Sequence, residues 1–172
     1  IPFELALNKS QYINKNQKAN DQLIGDSGYG QGQILMNPLQ LASIYSAFVN
    51  NGSIYRPHLV EQGEQMWIQR VFSDKTVKTI KEDLINVIAD EKGTGHAIYR
   101  DNVILAGKTG TAEIKQSQSD TTGTELGWFT VMTTDSKQPL LITTMVEDVK
   151  DRGGSGYVVE HTKTPLDLYL SK

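Results

Sequence analysis

Apolar positions along this chain follow two periods, first helical and then extended. After Asn37, the residues Leu41, Ile44, Tyr45 and Phe48 recur at spacings of three and four, as on a helix that buries one face. Asn37 suits the N-cap, Pro38 the first turn, and Asn51-Gly52 a left-handed end. A second stripe, Val77, Ile80, Leu84, Val87 and Ile88, follows Ser73 as its cap and stops before Gly93-Thr94-Gly95. Further on, residues 103–114, 126–134 and 139–147 predict strands of an antiparallel sheet. Asp135-Ser136-Lys137-Gln138 has the composition of a hairpin turn between the last two. Residues 53–60 predict a strand or extended connection, and 65–71 a short strand. A closing helix is predicted over about 158–170, with Leu166 and Leu170 toward the sheet. Residues 1–23, polar after Leu7, read as irregular. Residues 117–124 read as an all-polar loop, and Gly153-Gly154-Ser155-Gly156 as a flexible turn. Helices, then an antiparallel sheet, then a closing helix indicate an α+β architecture.

Bulk composition narrows the class without choosing the chemistry. The 172 residues suffice for one domain, and 38% hydrophobic with 22% charged residues is ordinary for a globular protein. A net charge of −3, with signs interspersed, gives no nucleic-acid footprint. The absence of cysteine excludes disulfides and thiolate metal sites. No apolar run approaches the roughly 20 residues that span a bilayer, and no signal peptide is visible. The chain starts Ile1-Pro2-Phe3, without Met, and is expected to be a piece of a longer protein whose remainder holds any anchor or leader.

The candidate chemistry lies in Gly107-Lys108-Thr109-Gly110-Thr111-Ala112-Glu113, which follows the apolar run Val103-Ile104-Leu105-Ala106. On a strand, Lys108 supplies a point charge, Thr109 and Thr111 supply hydroxyls, and Gly110 leaves room for a ligand or another backbone. The same residues also fit an exposed edge strand with a solvated lysine. Glu113 shares a strand face with Thr111 and reads as a solvated carboxylate or a partner for Lys108. A phosphate-binding P-loop is excluded: Asn102 stands where its first glycine belongs, and Gly110 would interrupt its helix. Gly28-Tyr29-Gly30-Gln31-Gly32 lacks the third glycine of a dinucleotide fingerprint, because Gln33 occupies that position. Taken alone it is a flexible loop feeding a helix. His58, His96 and His161 have no ligand spacing, so no metal or other cofactor is expected. Trp128 and Phe129, mid-strand, read as core.

Taken together, these segments resemble the penicillin-binding proteins, the transpeptidases that cross-link peptidoglycan and are acylated by β-lactams. The likeness is greatest to class B enzymes of Gram-positive bacteria of the low-affinity, resistance-associated type. It is carried by Asp26-Ser27-Gly28-Tyr29-Gly30-Gln31-Gly32, Asn37-Pro38-Leu39-Gln40, Ile44-Tyr45-Ser46-Ala47, Asn50-Asn51-Gly52, residues 107–113, Gly127-Trp128-Phe129 and Glu147-Asp148-Val149-Lys150-Asp151. Their order and spacing agree over residues 23–170. The family uses Ser-x-x-Lys, Ser-x-Asn and Lys-[Ser/Thr]-Gly. Only the third occurs here, with Thr109 in place of the serine commoner in the nearest relatives; Ser119-Asp120-Thr121 fails the second at its last position. The resemblance therefore implies the C-terminal portion of a transpeptidase domain spanning residues 1–172, beginning after the second motif.

The resemblance also implies roles. A serine from outside this chain would attack the D-Ala-D-Ala carbonyl of a peptidoglycan stem peptide. Lys108 would hold positive charge near the substrate carboxylate, which the Thr109 and Thr111 hydroxyls would bind. The Thr111 N–H would be one oxyanion donor, Gly110 would admit the substrate, and Tyr29, Gln31 and Glu113 would rim the cleft. β-Lactam antibiotics would be trapped as acyl-enzymes. The intact protein would be membrane-anchored and extracytoplasmic, whereas this chain alone would be inactive and would expose sheet edges prone to strand pairing or oligomerisation. A non-catalytic β-lactam sensor and a serine β-lactamase share the fold and remain alternatives.

Overall fold

The computed structural model describes residues 2–114 and 122–171. In chain order these form helix α1 (Asp21–Ser27), α2 (Pro38–Ser46), strands β1 (Ile54–Tyr55) and β2 (Met66–Ile68), α3 (Asp74–Ala89), and a 3-10 turn (His96–Ile98). Strands β3 (Leu105–Ile114), β4 (Thr124–Thr133) and β5 (Leu141–Val146) and helix α4 (Ser155–Leu170) complete the fold. The last three strands form one antiparallel sheet in the order β3-β4-β5, and β1 pairs with β2 in a separate two-stranded sheet. This is the expected α+β architecture.

Local chemistry fixes the helix starts. Asn37 Oδ1 accepts the Leu39 N–H at 2.9 Å, and Ser73 Oγ accepts the Thr76 N–H at 3.1 Å, each satisfying an orphan donor of the first turn. Alternation along the sheet then sends neighbouring side chains to opposite faces. On one face Leu105, Phe129 and Val131 pack with Val149, with Val158, Val159 and Leu166 of α4, and with Ile88 of α3. On the other, Ala106 and Met132 pack with Phe48 and with Leu84 of α3. Gly127 permits the close approach of α4, because a Cβ there would lie 2.5 Å from Val158 Cγ2 and 3.1 Å from both Val149 γ-carbons.

Several boundaries differ from the sequence expectation. Residues 21–23 belong to α1, whose start Asn20 caps through a 2.8 Å bond to the Leu23 N–H; α1 buries no residue, so it left no apolar stripe to read. Helix α2 stops at Ser46, and Phe48 lies in the turns that follow, which close with Asn51 (φ 50°) and Gly52 (φ 78°). The extended segments 53–60 and 65–71 contract to the two- and three-residue strands β1 and β2. The 103–114 strand starts at Leu105, and α4 starts three residues early, at Ser155. Asp135 does build the hairpin turn, its side chain accepting the Lys137 N–H at 2.9 Å. Most of the expected 117–124 loop lies outside the described residues.

Candidate active site

Lys108, Gly110 and Ala112 share the sheet face that looks toward α2. With Trp128 and Thr130 of β4 and Met145 of β5 they form the floor of an open groove of about 690 Å³. Leu41 and Tyr45 of α2 form one wall, and the glycine-rich loop with Tyr29 and Gln31 forms another. Burial holds the Tyr45 phenol above its ordinary pKa. Within the floor Thr130 is buried, and its hydroxyl lies 3.0 Å from that of Thr143 on the neighbouring strand. A Cβ on Gly110 would meet only Trp128 Cβ, at an ordinary 3.6 Å. Packing among the described residues therefore does not demand glycine there, and a glycine inside a strand often marks close approach by a ligand or another backbone.

β3 is an outer strand, and its hydrogen-bonding phase decides what its open edge offers. The Glu125 carbonyl accepts the Val149 N–H at 3.0 Å, and the Thr133 N–H donates to the Leu140 carbonyl at 3.0 Å, so both groups turn away from β3. Glu125 stands opposite Glu113 and Thr133 opposite Leu105 in an unbroken register. The intervening pairs of the same parity, Thr109 with Phe129 and Thr111 with Gly127, are then non-hydrogen-bonded pairs. Thr109 and Thr111 accordingly aim both N–H and C=O at the open edge. Two side chains occupy those carbonyls: Lys108 Nζ donates to Thr109 O at 2.7 Å, and Gln31 Nε2 to Thr111 O at 3.2 Å.

The structure brings Lys108, Thr109, Gly110, Thr111, Tyr29 and Gln31 to one groove. Within it, the Thr109 side chain lies on the sheet face opposite Lys108. It is 7% exposed, with its hydroxyl 2.7 Å from Thr94 Oγ1. Thr111 is exposed, and Tyr29 donates its phenol O–H to Asp26 Oδ1 at 2.8 Å. Glu113 does not line the groove; it is exposed one residue from the end of β3, opposite Glu125.

Trp128 corrects a sequence expectation. It lines the groove, while its neighbour Phe129 is completely buried, because adjacent strand residues face opposite sides. The alternation was readable in the sequence, but the register setting Trp128 opposite Gly110 was not. Thr94 was also missed as a partner of the lysine strand. The histidines stay apart. His96 Nδ1 lies 2.9 Å from the Ile88 carbonyl and His161 Nδ1 2.9 Å from that of Tyr157, and among the described residues no acidic or histidine cluster is arranged to hold a metal. No helix among them is long and apolar enough to cross a membrane.

Comparison with known proteins gives this geometry a lineage. Residues 2–164 match the family model described as the penicillin binding protein transpeptidase domain. The chain is 40% identical to penicillin-binding protein 3 of Bacillus subtilis over 166 residues, covering 95% of this chain and 25% of that protein. It is 27% identical to the peptidoglycan D,D-transpeptidase MrdA of Haemophilus influenzae, covering 84% of this chain and 25% of that protein. It thus spans about a quarter of the length of these relatives. Penicillin-binding protein A from M. tuberculosis, solved as an imipenem acyl-enzyme complex, shares the fold with a TM-score of 0.71 at 19% identity, over 95% of this chain and 37% of that one. The chain belongs to the penicillin-binding protein transpeptidase domain family.

Proposed function

We propose that this chain is the C-terminal part of a D,D-transpeptidase domain, supplying the substrate-binding strand and one oxyanion donor to a serine nucleophile held outside it. The observation that carries this reading is the edge of β3: Thr111 aims its N–H and C=O outward, one strand position from the groove-facing Gly110 and three residues from Lys108. An extended acyl-donor peptide can add there as an antiparallel strand, held by main-chain bonds.

In the mechanism, the serine oxygen attacks the carbonyl carbon of the penultimate D-Ala of a stem peptide. Negative charge grows on the carbonyl oxygen, where the Thr111 N–H donates to it; losing one such donor typically lowers the rate by about 10²–10³. The C–N bond to the terminal D-Ala breaks, and the proton from serine passes to the departing amine, leaving an ester. The amine of a second stem peptide then attacks the ester carbon, the C–O bond to serine breaks, and the amine's proton passes to the serine oxygen, leaving the amide cross-link and free serine. Lys108 supplies positive charge and Thr111 a hydroxyl toward the substrate carboxylate, with Tyr29 and Gln31 around the cleft; Glu113, expected there from the sequence, lies outside the groove and takes no part. The buried Thr109 hydroxyl, held by Thr94, braces the strand. With a β-lactam the broken amide stays tethered in the adduct, which favours a persistent acyl-enzyme. The intact protein would act outside the cytoplasm from a membrane anchor.

The test is Lys108→Ala in the full-length protein, read by acylation with benzylpenicillin. Acylation is expected to fall about a hundredfold, as for loss of one electrostatic contact at the reacting centre; an unchanged rate would remove Lys108 from the mechanism.

A further inference from the structure

Gln31 occupies a position that the acyl donor itself must use. In an antiparallel addition, one residue of the incoming strand exchanges two bonds with Thr111: its carbonyl accepts the Thr111 N–H, and its own N–H donates to Thr111 O. If the Thr111 N–H serves the reacting carbonyl, the residue bearing that carbonyl, the penultimate D-Ala, must also donate its N–H to Thr111 O. In this structure Thr111 O already accepts Gln31 Nε2 at 3.2 Å. The next outward carbonyl along the strand, Thr109 O, is likewise taken, by Lys108 Nζ at 2.7 Å.

We propose that Gln31 is a releasable plug on the donor-binding edge, a specificity-determining residue whose side-chain amide imitates the ligand's N–H until a ligand displaces it. The inference rests on the transpeptidase reading above. The loop is built for such a contact. Gly30 and Gly32 flank Gln31 with φ of 81° and 78°, and the loop backbone is pinned behind it, where the Gln31 N–H donates to Asp26 O at 3.0 Å. The loop can therefore stay in place while the side chain swings away from Thr111. A plug also shields an open strand edge from pairing with other chains.

The consequence depends on ligand chemistry. Benzylpenicillin carries an acylamino N–H on the carbon next to its lactam carbonyl, the same N–H, carbon, carbonyl sequence as an amino-acid residue. It must displace the plug. Imipenem carries a hydroxyethyl group there and no amide N–H, so it gains nothing from a vacated Thr111 O. Removing the plug should raise the ratio of the benzylpenicillin to the imipenem second-order acylation constant.

The experiment measures both constants on the full-length protein and on Gln31→Ala and Gln31→Glu. Glu keeps the size of the side chain but, ionised, cannot donate to a carbonyl. The ratio is expected to rise about fivefold in both variants, the weight of one modest hydrogen bond. A ratio unchanged in both, or a fall in both constants together, overturns the plug while leaving the transpeptidase reading intact. A rise in Ala alone also overturns it, since bulk and not donation would then be responsible. Absence of any adduct on the wild-type protein overturns the transpeptidase reading, and the plug with it.

Discussion

Thr94 Oγ1 stands 2.7 Å from Thr109 Oγ1, joining the turn after α3 to β3 at the residue next to Lys108. Thr109 is 7% exposed, so its hydroxyl depends on this partner more than a surface hydroxyl would. Thr94→Val should destabilise the fold by about 1 kcal/mol, a fall of about 2–4 °C in Tm for a chain of this size. Thr94→Ser should restore nearly all of it. Thermal unfolding of the three proteins checks this, and a valine variant as stable as wild type would mean the hydroxyl pair contributes nothing.

Gly127 lets α4 reach the sheet. A Cβ there would come within 2.5 Å of the fully buried Val158. Gly127→Ala should therefore destabilise by about 1–3 kcal/mol through overpacking. Val158→Ala, which removes the opposing methyls, should rescue part of that loss. A double-mutant cycle by chemical denaturation measures the coupling; strict additivity of the two changes would contradict the contact.

Tyr29 donates to the Asp26 carboxylate, and that bond, with some desolvation and the nearby negative charge, raises its phenol above the ordinary 10.0. A raised phenol pKa means the contact favours the protonated state, is fully present below pH 10, and is lost as pH rises through the folded value. In an NMR titration of its ring signals, Tyr29 should ionise later than a free tyrosine. Asp26→Asn should bring the midpoint down toward the ordinary value, and an unmoved midpoint would exclude Asp26 as the cause.

Sequence and structure agree where a physical period or a cap dominates. The stripe from Val77 to Ile88 and the cap at Ser73 placed α3, and apolar runs around a turn rich in polar residues placed β4 and β5. Helix α1 went unread because it buries nothing and so has no period. Within the site, the lysine strand and the glycine loop were visible as motifs. Their meeting was not, because the bond from Gln31 to Thr111 joins residues 80 positions apart and depends on tertiary placement. Trp128 was misassigned for a related reason: a mid-strand aromatic looks the same in sequence whether its face meets a helix or a groove.

The most direct measurement is intact-mass spectrometry after benzylpenicillin treatment, on this chain alone and on a polypeptide extended upstream through a Ser-x-x-Lys segment. A single penicilloyl adduct is expected on the extended protein, lost slowly, and none on the 172-residue chain, which holds no Ser-x-x-Lys. An adduct on the short chain would contradict a nucleophile supplied from outside it. No adduct on either would contradict the acyl-enzyme and leave a non-catalytic binding module.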